Sequence, residues 1–250
     1  MCGRYTLTSP ERAIREVMSE EAARLTPRAG ARLLLQSIPA RYNVAPTQEM
    51  PVVRCGADSP ELALLRWGLI PEWSHDPAIA SKLINARAET LRDKPSFRAA
   101  FKSRRCLVPA DGFFEWTAGA KGARQPWWIH APERQPFAFA GLWENGTFTL
   151  VTCEARGAIR DLHDRMPVMF FDRAARAAWL DAQDDATLDR LLEPSAPPMV
   201  AYPVSREVNR NDFEDPRAID AIELPLDPRA APEPVAAAAP VQGSLFGPEF

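Results

Sequence analysis

Between residues 51 and 171 apolar and aromatic residues come in runs of four to seven, with turn residues between them. Runs this short suit strands, whereas helices need about ten residues or more. PVVRC (51–55), ELALLRW (61–67), RCLVP (105–109), FFEWT (113–117), WWIH (127–130), FAFAGLW (137–143), TFTLVTC (147–153) and VMFF (168–171) are read as strands, with MVAYPVS (199–205) a late one. Glu144-Asn145-Gly146 between two of them is a hairpin signal. Helices are few. Ser9-Pro10 reads as a cap and first helical residue, and Ile14, Val17, Met18, Ala22 and Leu25 recur at helical spacing through about residue 25. Further short helices are predicted over 95–103, after Phe171 (Ala174, Ala175, Ala178, Trp179, Leu180) and over 186–192.

The pattern lacks the regular strand–helix alternation of a doubly wound sheet, any internal repeat and any Gly-rich phosphate loop. The expected fold class is α+β, a single domain built on antiparallel strands as a barrel-like mixed sheet with a few peripheral helices. That domain is predicted to cover residues 2–224. Residues 225–250 are rich in Pro and Ala without apolar periodicity and are expected to form a disordered tail.

Composition narrows the setting. No apolar run approaches the ~20 residues of a membrane helix. The first 30 residues carry Arg4, Arg12, Arg15 and four glutamates, with no apolar core of a secretory signal. Cys2, Cys55, Cys106 and Cys153 form no C-x-x-C pair, which argues against a zinc site or a disulfide framework, and neither metal nor cofactor is expected. A reducing cytoplasm, with association to the nucleoid, is the expected location, and a monomer the expected state. Charge is uneven. Residues 181–250 hold 14 Asp and Glu against 5 Arg, a net of −9, and residues 1–180 hold 25 Lys and Arg against 19 Asp and Glu, a net of +6. A basic body suits an anionic partner such as nucleic acid, and is also common on solvated surfaces.

Four stretches carry chemistry. MCGRYTLT places a thiol directly after the initiator, and Cys2 is small enough for Met1 to be trimmed, leaving an α-amine and a thiol on adjacent carbons. SKLINARAET (81–90) mixes amide, guanidinium and carboxylate, DGFFEW (111–116) sets Glu115 between large aromatics, and DLHDRMP (161–167) gathers His163, Asp164 and Arg165 before a proline. Structural readings compete with each: Asn85 caps a turn, Glu115 faces solvent on a strand, His163 closes a helix. Aromatics also interleave with arginines at Arg66-Trp67, Trp73, Arg87, Phe113, Phe114, Trp116 and Arg165, the combination that single-stranded nucleic acid binding requires.

MCGRY (1–5), RYNVAPTQ (41–48), RWGLIPEW (66–73), INARAET (84–90), RCLVPADGFFEW (105–116), VTCEA (151–155), LHDRMPV (162–168) and YPVS (202–205) resemble, in order, the motifs of the SOS response-associated peptidase family, whose characterised members sense abasic sites in DNA. The resemblance covers roughly residues 2–210 and does not reach the tail. It implies that Met1 is removed and that Cys2 attacks the ring-opened aldehyde of an abasic deoxyribose in single-stranded DNA, closing a thiazolidine. It implies that Asn85, Glu115 and His163 line the site with Cys2, and that Arg4, Arg87 and Arg165 meet backbone phosphates. Trp67 and Trp116 are expected to contact DNA as well, although tryptophans in such runs are more often core than stacking platforms. The physical reading agrees: only an N-terminal cysteine offers amine and thiol for a five-membered ring, and a desolvated Glu115 suits proton transfer.

Two rivals stand beside it. An N-terminal-nucleophile hydrolase or amidotransferase would use Cys2 as an acyl-forming nucleophile, and class II glutamine amidotransferases also begin MCG. A non-covalent DNA-binding module would leave Cys2 incidental. In the tail, QGSLF (Gln242–Phe246) resembles the bacterial sliding-clamp-binding motif Q-L-[SD]-L-F, with Gly243 where leucine is usual, so a sliding clamp is a candidate partner.

Overall fold

The Glu144-Asn145-Gly146 signal is realised as a tight hairpin. Asn145 and Gly146 take positive φ, 48° and 70°, the left-handed pair that a two-residue turn between right-twisted strands requires. The computed structural model describes residues 2–18, 37–56, 59–118 and 124–224. In chain order the strands are β1 (Arg4–Leu7), β2 (Arg41–Val44), β3 (Glu49–Cys55), β4 (Pro60–Trp67), β5 (Asn85–Arg87), β6 (Arg105–Ala110) and β7 (Gly112–Ala118). They continue with β8 (Arg124–His130), β9 (Phe137–Glu144), β10 (Thr147–Glu154), β11 (Arg165–Pro167), β12 (Met169–Phe170) and β13 (Val200–Pro203). The helices are α1 (Pro10–Met18), α2 (Pro95–Ser103), α3 (Arg173–Asp181) and α4 (Asp185–Leu192).

The strands form two sheets. One, in the order β13-β8-β7-β1-β2, is antiparallel throughout. In the other, β10 pairs with β9 across the hairpin, β9 with β6, β6 with β3 and β3 with β4. A short parallel contact, Thr147 with Arg66 and Phe148 with Trp67, returns β4 to β10 and closes the ring. Further along the same edge of β10, β5 takes over in parallel. The result is the expected α+β domain, with a closed mixed barrel of five strands and the antiparallel sheet packed on it. Tyr5 of β1 joins the two, its ring edge-on to Trp67 and Phe139 at 5.4 and 5.7 Å.

Helices are peripheral and short. α1 buries Ala13, Ile14, Val17 and Met18 on one face. Its expected extension over 19–25 lies outside the described residues, as does the tail from 225. Asp172 and Asp184 cap α3 and α4 by accepting from Ala175 and Thr187 amides, each at 2.8 Å. Arg105, buried, gathers the helix ends, donating to the carbonyls of Phe101, Lys102, Trp179, Leu180 and Ala182. Orphan carbonyls at the ends of α2 and α3 are thus satisfied by one cation.

One sequence expectation needs correction, and three strands were missed. The run VMFF is not one strand. Val168 separates β11, which pairs with β10, from β12, which pairs with β9; its own amide and carbonyl bond to Val151 and Ala140. β1, β2 and β5 went unread because RYTL, RYNV and NAR are too short to show a period, and pairing with neighbours makes them strands.

Candidate active site

The site is assembled at the free end of β1. Its other end is fastened to DGFFEW. Buried Asp111 accepts from Thr6 Oγ1 at 2.7 Å, Thr8 N at 2.6 Å, Thr8 Oγ1 at 2.8 Å and Ser9 N at 3.1 Å. From there β1 runs antiparallel to β7, with Thr6 opposite Gly112, Tyr5 opposite Phe113 and Arg4 opposite Phe114. Gly112 permits this: a Cβ there would lie 2.4 Å from Trp128 Nε1, which donates to Thr6. Side chains alternate along β7, so Phe113 and Glu115 face the barrel side while Phe114 and Trp116 join a second apolar cluster with Trp128, Val204, Val208 and Ile219.

The barrel supplies the opposite wall. Asn85 of β5 donates from Nδ2 to the Cys2 carbonyl at 2.8 Å. Its Oδ1 is buried and accepts no hydrogen bond among the described residues. His163 stands in the turn before β11, where the Arg165 amide donates to its Nδ1 at 2.9 Å. That bond occupies the Nδ1 lone pair and leaves the proton of a neutral ring on Nε2. Asp164 Oδ1, 2.8 Å from the same nitrogen, becomes its partner only in the protonated ring.

Electrostatics tie these groups together. Burial raises the Glu115 carboxyl to about 7, against the pull of the amino-terminal charge. Burial, then the nearby Glu115, pushes the Cys2 thiol well above its ordinary value. Burial and the amino-terminal charge lower the His163 imidazole. Near neutrality Glu115 is therefore poised between acid and base, His163 is neutral and Cys2 is a protonated thiol. Asn85 thus holds the Cys2 carbonyl while Glu115 acts on the Cys2 thiol, so stretches remote in sequence meet at Cys2.

The residues expected at DNA divide. Arg87 is exposed and makes no side-chain hydrogen bond or ion pair among the described residues. Arg4 is half-buried and held, donating to Val208 O at 3.0 Å, to Asn43 Oδ1 at 3.4 Å and to Asn211 Oδ1. Arg165 forms a two-point ion pair with Glu89. Trp116 is partly exposed, its Nε1 donating to Asn209 Oδ1 at 2.7 Å. Trp67 overturns its expectation: it is fully buried, stacked on Phe148 at 6.2 Å, with Nε1 donating to Ile84 O, and has no face to offer a base. Trp73 is the exposed indole of that motif, at 55%.

Some contributors escaped the sequence reading. Asp111 was visible only as the first residue of DGFFEW. Asn43, fully buried, donates to the carbonyls of Val208, Arg210 and Phe213 and so fastens the segment that covers the antiparallel sheet. Glu89 was visible as the carboxylate of INARAET, but its partner lies 76 residues away.

Comparison with known proteins gives the chain its relatives. The chain is 37% identical over 238 residues to the abasic site processing protein YoqW of Bacillus subtilis, an alignment covering 88% of this chain and all of that one. It is 33% identical over 224 residues to the abasic site processing protein HMCES of Xenopus tropicalis, covering 73% of this chain and 66% of that protein. A crystal structure of a protein from Bacteroides thetaiotaomicron shares the fold with a TM-score of 0.72 at 24% identity, covering 89% of this chain and all of that one. Residues 1–211, which carry every element of the site, match the sequence profile of one family, and the chain belongs to it: SOS response associated peptidase (SRAP).

Proposed function

We propose that the chain, once Met1 is removed, captures abasic sites in single-stranded DNA as a thiazolidine on Cys2. What supports this reading is the Asn85 hydrogen bond to the Cys2 carbonyl together with a Glu115 that acts on the Cys2 thiol and is raised to about 7. With Met1 in place the Cys2 nitrogen is a peptide amide. Trimming converts it to an amine with an ordinary pKa of ~8.

The order of bonds follows from the charges. The thiol is protonated, so the amine attacks the aldehyde carbon first and gives a carbinolamine. Protonated Glu115 delivers its proton to the departing hydroxyl, releasing water and leaving an iminium. The Cys2 sulfur then adds to that carbon, and its proton returns to the Glu115 carboxylate. One water leaves and the acid is regenerated. A closed abasic sugar must first open, moving a proton from its hydroxyl to its ring oxygen: the Glu115 carboxylate suits removal of the hydroxyl proton, and the Nε2–H of neutral His163 suits a hydrogen bond to the ring oxygen. Arg87 and Arg4 contact backbone phosphates, and the partly exposed Trp116 and Trp73 offer faces to bases. Removal of Met1 by the same acid and base is part of this reading. So is a tether: Gln242–Phe246, outside the described residues, engages a sliding clamp through Leu245 and Phe246, which a tail peptide and its Leu245→Ala/Phe246→Ala variant, titrated against the clamp, would test.

The central experiment is incubation with abasic single-stranded DNA, then denaturing electrophoresis and intact mass. The expected product weighs protein without Met1, plus DNA, minus one water. A Cys2→Ser protein that yields the same heat-stable product would overturn the reading. Glutaminase activity abolished by Cys2→Ser, with no DNA adduct, would favour the amidotransferase instead.

A further inference from the structure

Arg165 and Glu89 form an ion pair whose two members are held very differently. The guanidinium is 13% exposed and its carboxylate partner 52%. Arg165 is anchored from below, Nη2 donating to Thr152 O of β10 at 2.7 Å. Glu89 stands in the short 3-10 turn Ala88–Thr90 that follows β5, and reaches across β10 to fill the fork, 2.5 Å from Nη1 and 2.9 Å from Nη2. Thr152 is the common reference: Arg87 is its partner on β5, and Pro167, two residues after Arg165, is its partner on β11. One strand is thus flanked by two arginines, one open and one plugged.

Two oxygens on one guanidinium fork is also how arginine binds a phosphate. A carboxylate this exposed gains little from pairing, so a phosphodiester of an incoming strand, which also offers two oxygens to the fork, can displace it. We propose that Glu89 is a displaceable stand-in for a DNA phosphate: in the free protein it fills the Arg165 fork, and a phosphate of the bound strand takes its place beside Arg87. This deepens the reading of the site as one for single-stranded DNA and rests on it. Glu89 then works against affinity. It keeps the fork preorganised in the free protein and weakens the grip on undamaged strands, leaving the covalent step at Cys2 to decide which strand is retained.

The test is titration of an undamaged single-stranded oligonucleotide by fluorescence anisotropy at fixed salt, with wild type, Glu89→Gln, Arg165→Ala and the double variant. Glu89→Gln is expected to bind about fivefold more tightly, the loss of an ion pair near 1 kcal/mol. In the Arg165→Ala background the same substitution is expected to change nothing. Weaker or equal binding by Glu89→Gln makes Glu89 a clamp that positions Arg165 and overturns the proposal. A gain that persists without Arg165 is bulk charge and overturns it too. If the wild type binds no single-stranded DNA, the functional reading falls with it; if the wild type binds and only the gain is missing, the functional reading stands.

Discussion

The two carboxylates of DGFFEW, four residues apart at the ends of one stretch, show what separates scaffold from chemistry in this molecule. Asp111 is buried and accepts from four donors of Thr6, Thr8 and Ser9. Its charge is spent on holding β1 to β7. Glu115 is buried as deeply, but close enough to act on the Cys2 thiol, and burial lifts its carboxyl to about 7. One end of β1 is locked so that the other end, with Cys2, is delivered to a group that can exchange a proton. The same burial that stabilises a satisfied acceptor activates one set among reactive partners.

The largest expected effect tests the reactive end. Cys2→Ala, or a sequence that retains Met1, should abolish the heat-stable adduct with abasic DNA. Persistent adduct on denaturing gels would move the chemistry elsewhere.

Next comes the acid itself. Glu115→Gln should slow adduct formation by about a hundredfold or more, the usual range for a proton-transfer group, while binding to undamaged strands stays within about twofold. Its effect on stability has a defined sign. The folded value of about 7 lies above the unfolded ~4.3, so the folded protein holds a proton the unfolded chain has lost. Stability contributed by the neutral acid is full below pH ~4.3 and falls as pH rises toward 7, by an amount on the order of 3 kcal/mol. Urea melts of Glu115→Gln across that window should be flatter than those of wild type. Parallel slopes would mean the carboxyl is not raised, and the contrast with Asp111 would lose its basis.

The anchored end should respond in the opposite way. Asp111→Ala strands several buried donors and is expected to lower stability by about 3 kcal/mol, read in urea melts. Adduct formation should fall only in proportion to unfolded protein. A variant that is stable but inactive would place Asp111 in the chemistry.

The smallest effect concerns the rim. Arg87→Ala should reduce the salt slope of single-strand binding by about 0.7 without affecting melting. Arg4→Ala, which cuts bonds to Asn43, Val208 and Asn211, should lower the melting temperature as well. Equal behaviour of the two would erase the distinction between an open and a held arginine.

Much of this was legible from residues alone. The long strands, the Asn-Gly hairpin and helices near 95–103, 173–181 and 185–192 follow from apolar spacing and turn chemistry, which are local. β1, β2 and β5 were not legible, because RYTL, RYNV and NAR carry no period and owe their form to partners distant in the chain. Trp67 shows the converse failure. A tryptophan beside an arginine reads as a stacking platform, yet parity along β4 turns its ring into the barrel, where Tyr5 and Phe148 cover it.

The sequence by itself determined which groups are present: a cysteine behind the initiator, the amide of INAR, the acid of GFFEW and the imidazole of HDRMP, each in a stretch whose residue types have a chemical purpose. It determined the strand-rich class as well, since periodicity and turns act over a few residues. Only the tertiary structure decided that Asn85 reaches the Cys2 carbonyl, that Asp111 anchors while Glu115 titrates, and that Arg165 is plugged while Arg87 is open. Those outcomes depend on burial and on partners 76 to 105 residues apart, and desolvation is a property of the space a side chain enters, not of the letters beside it.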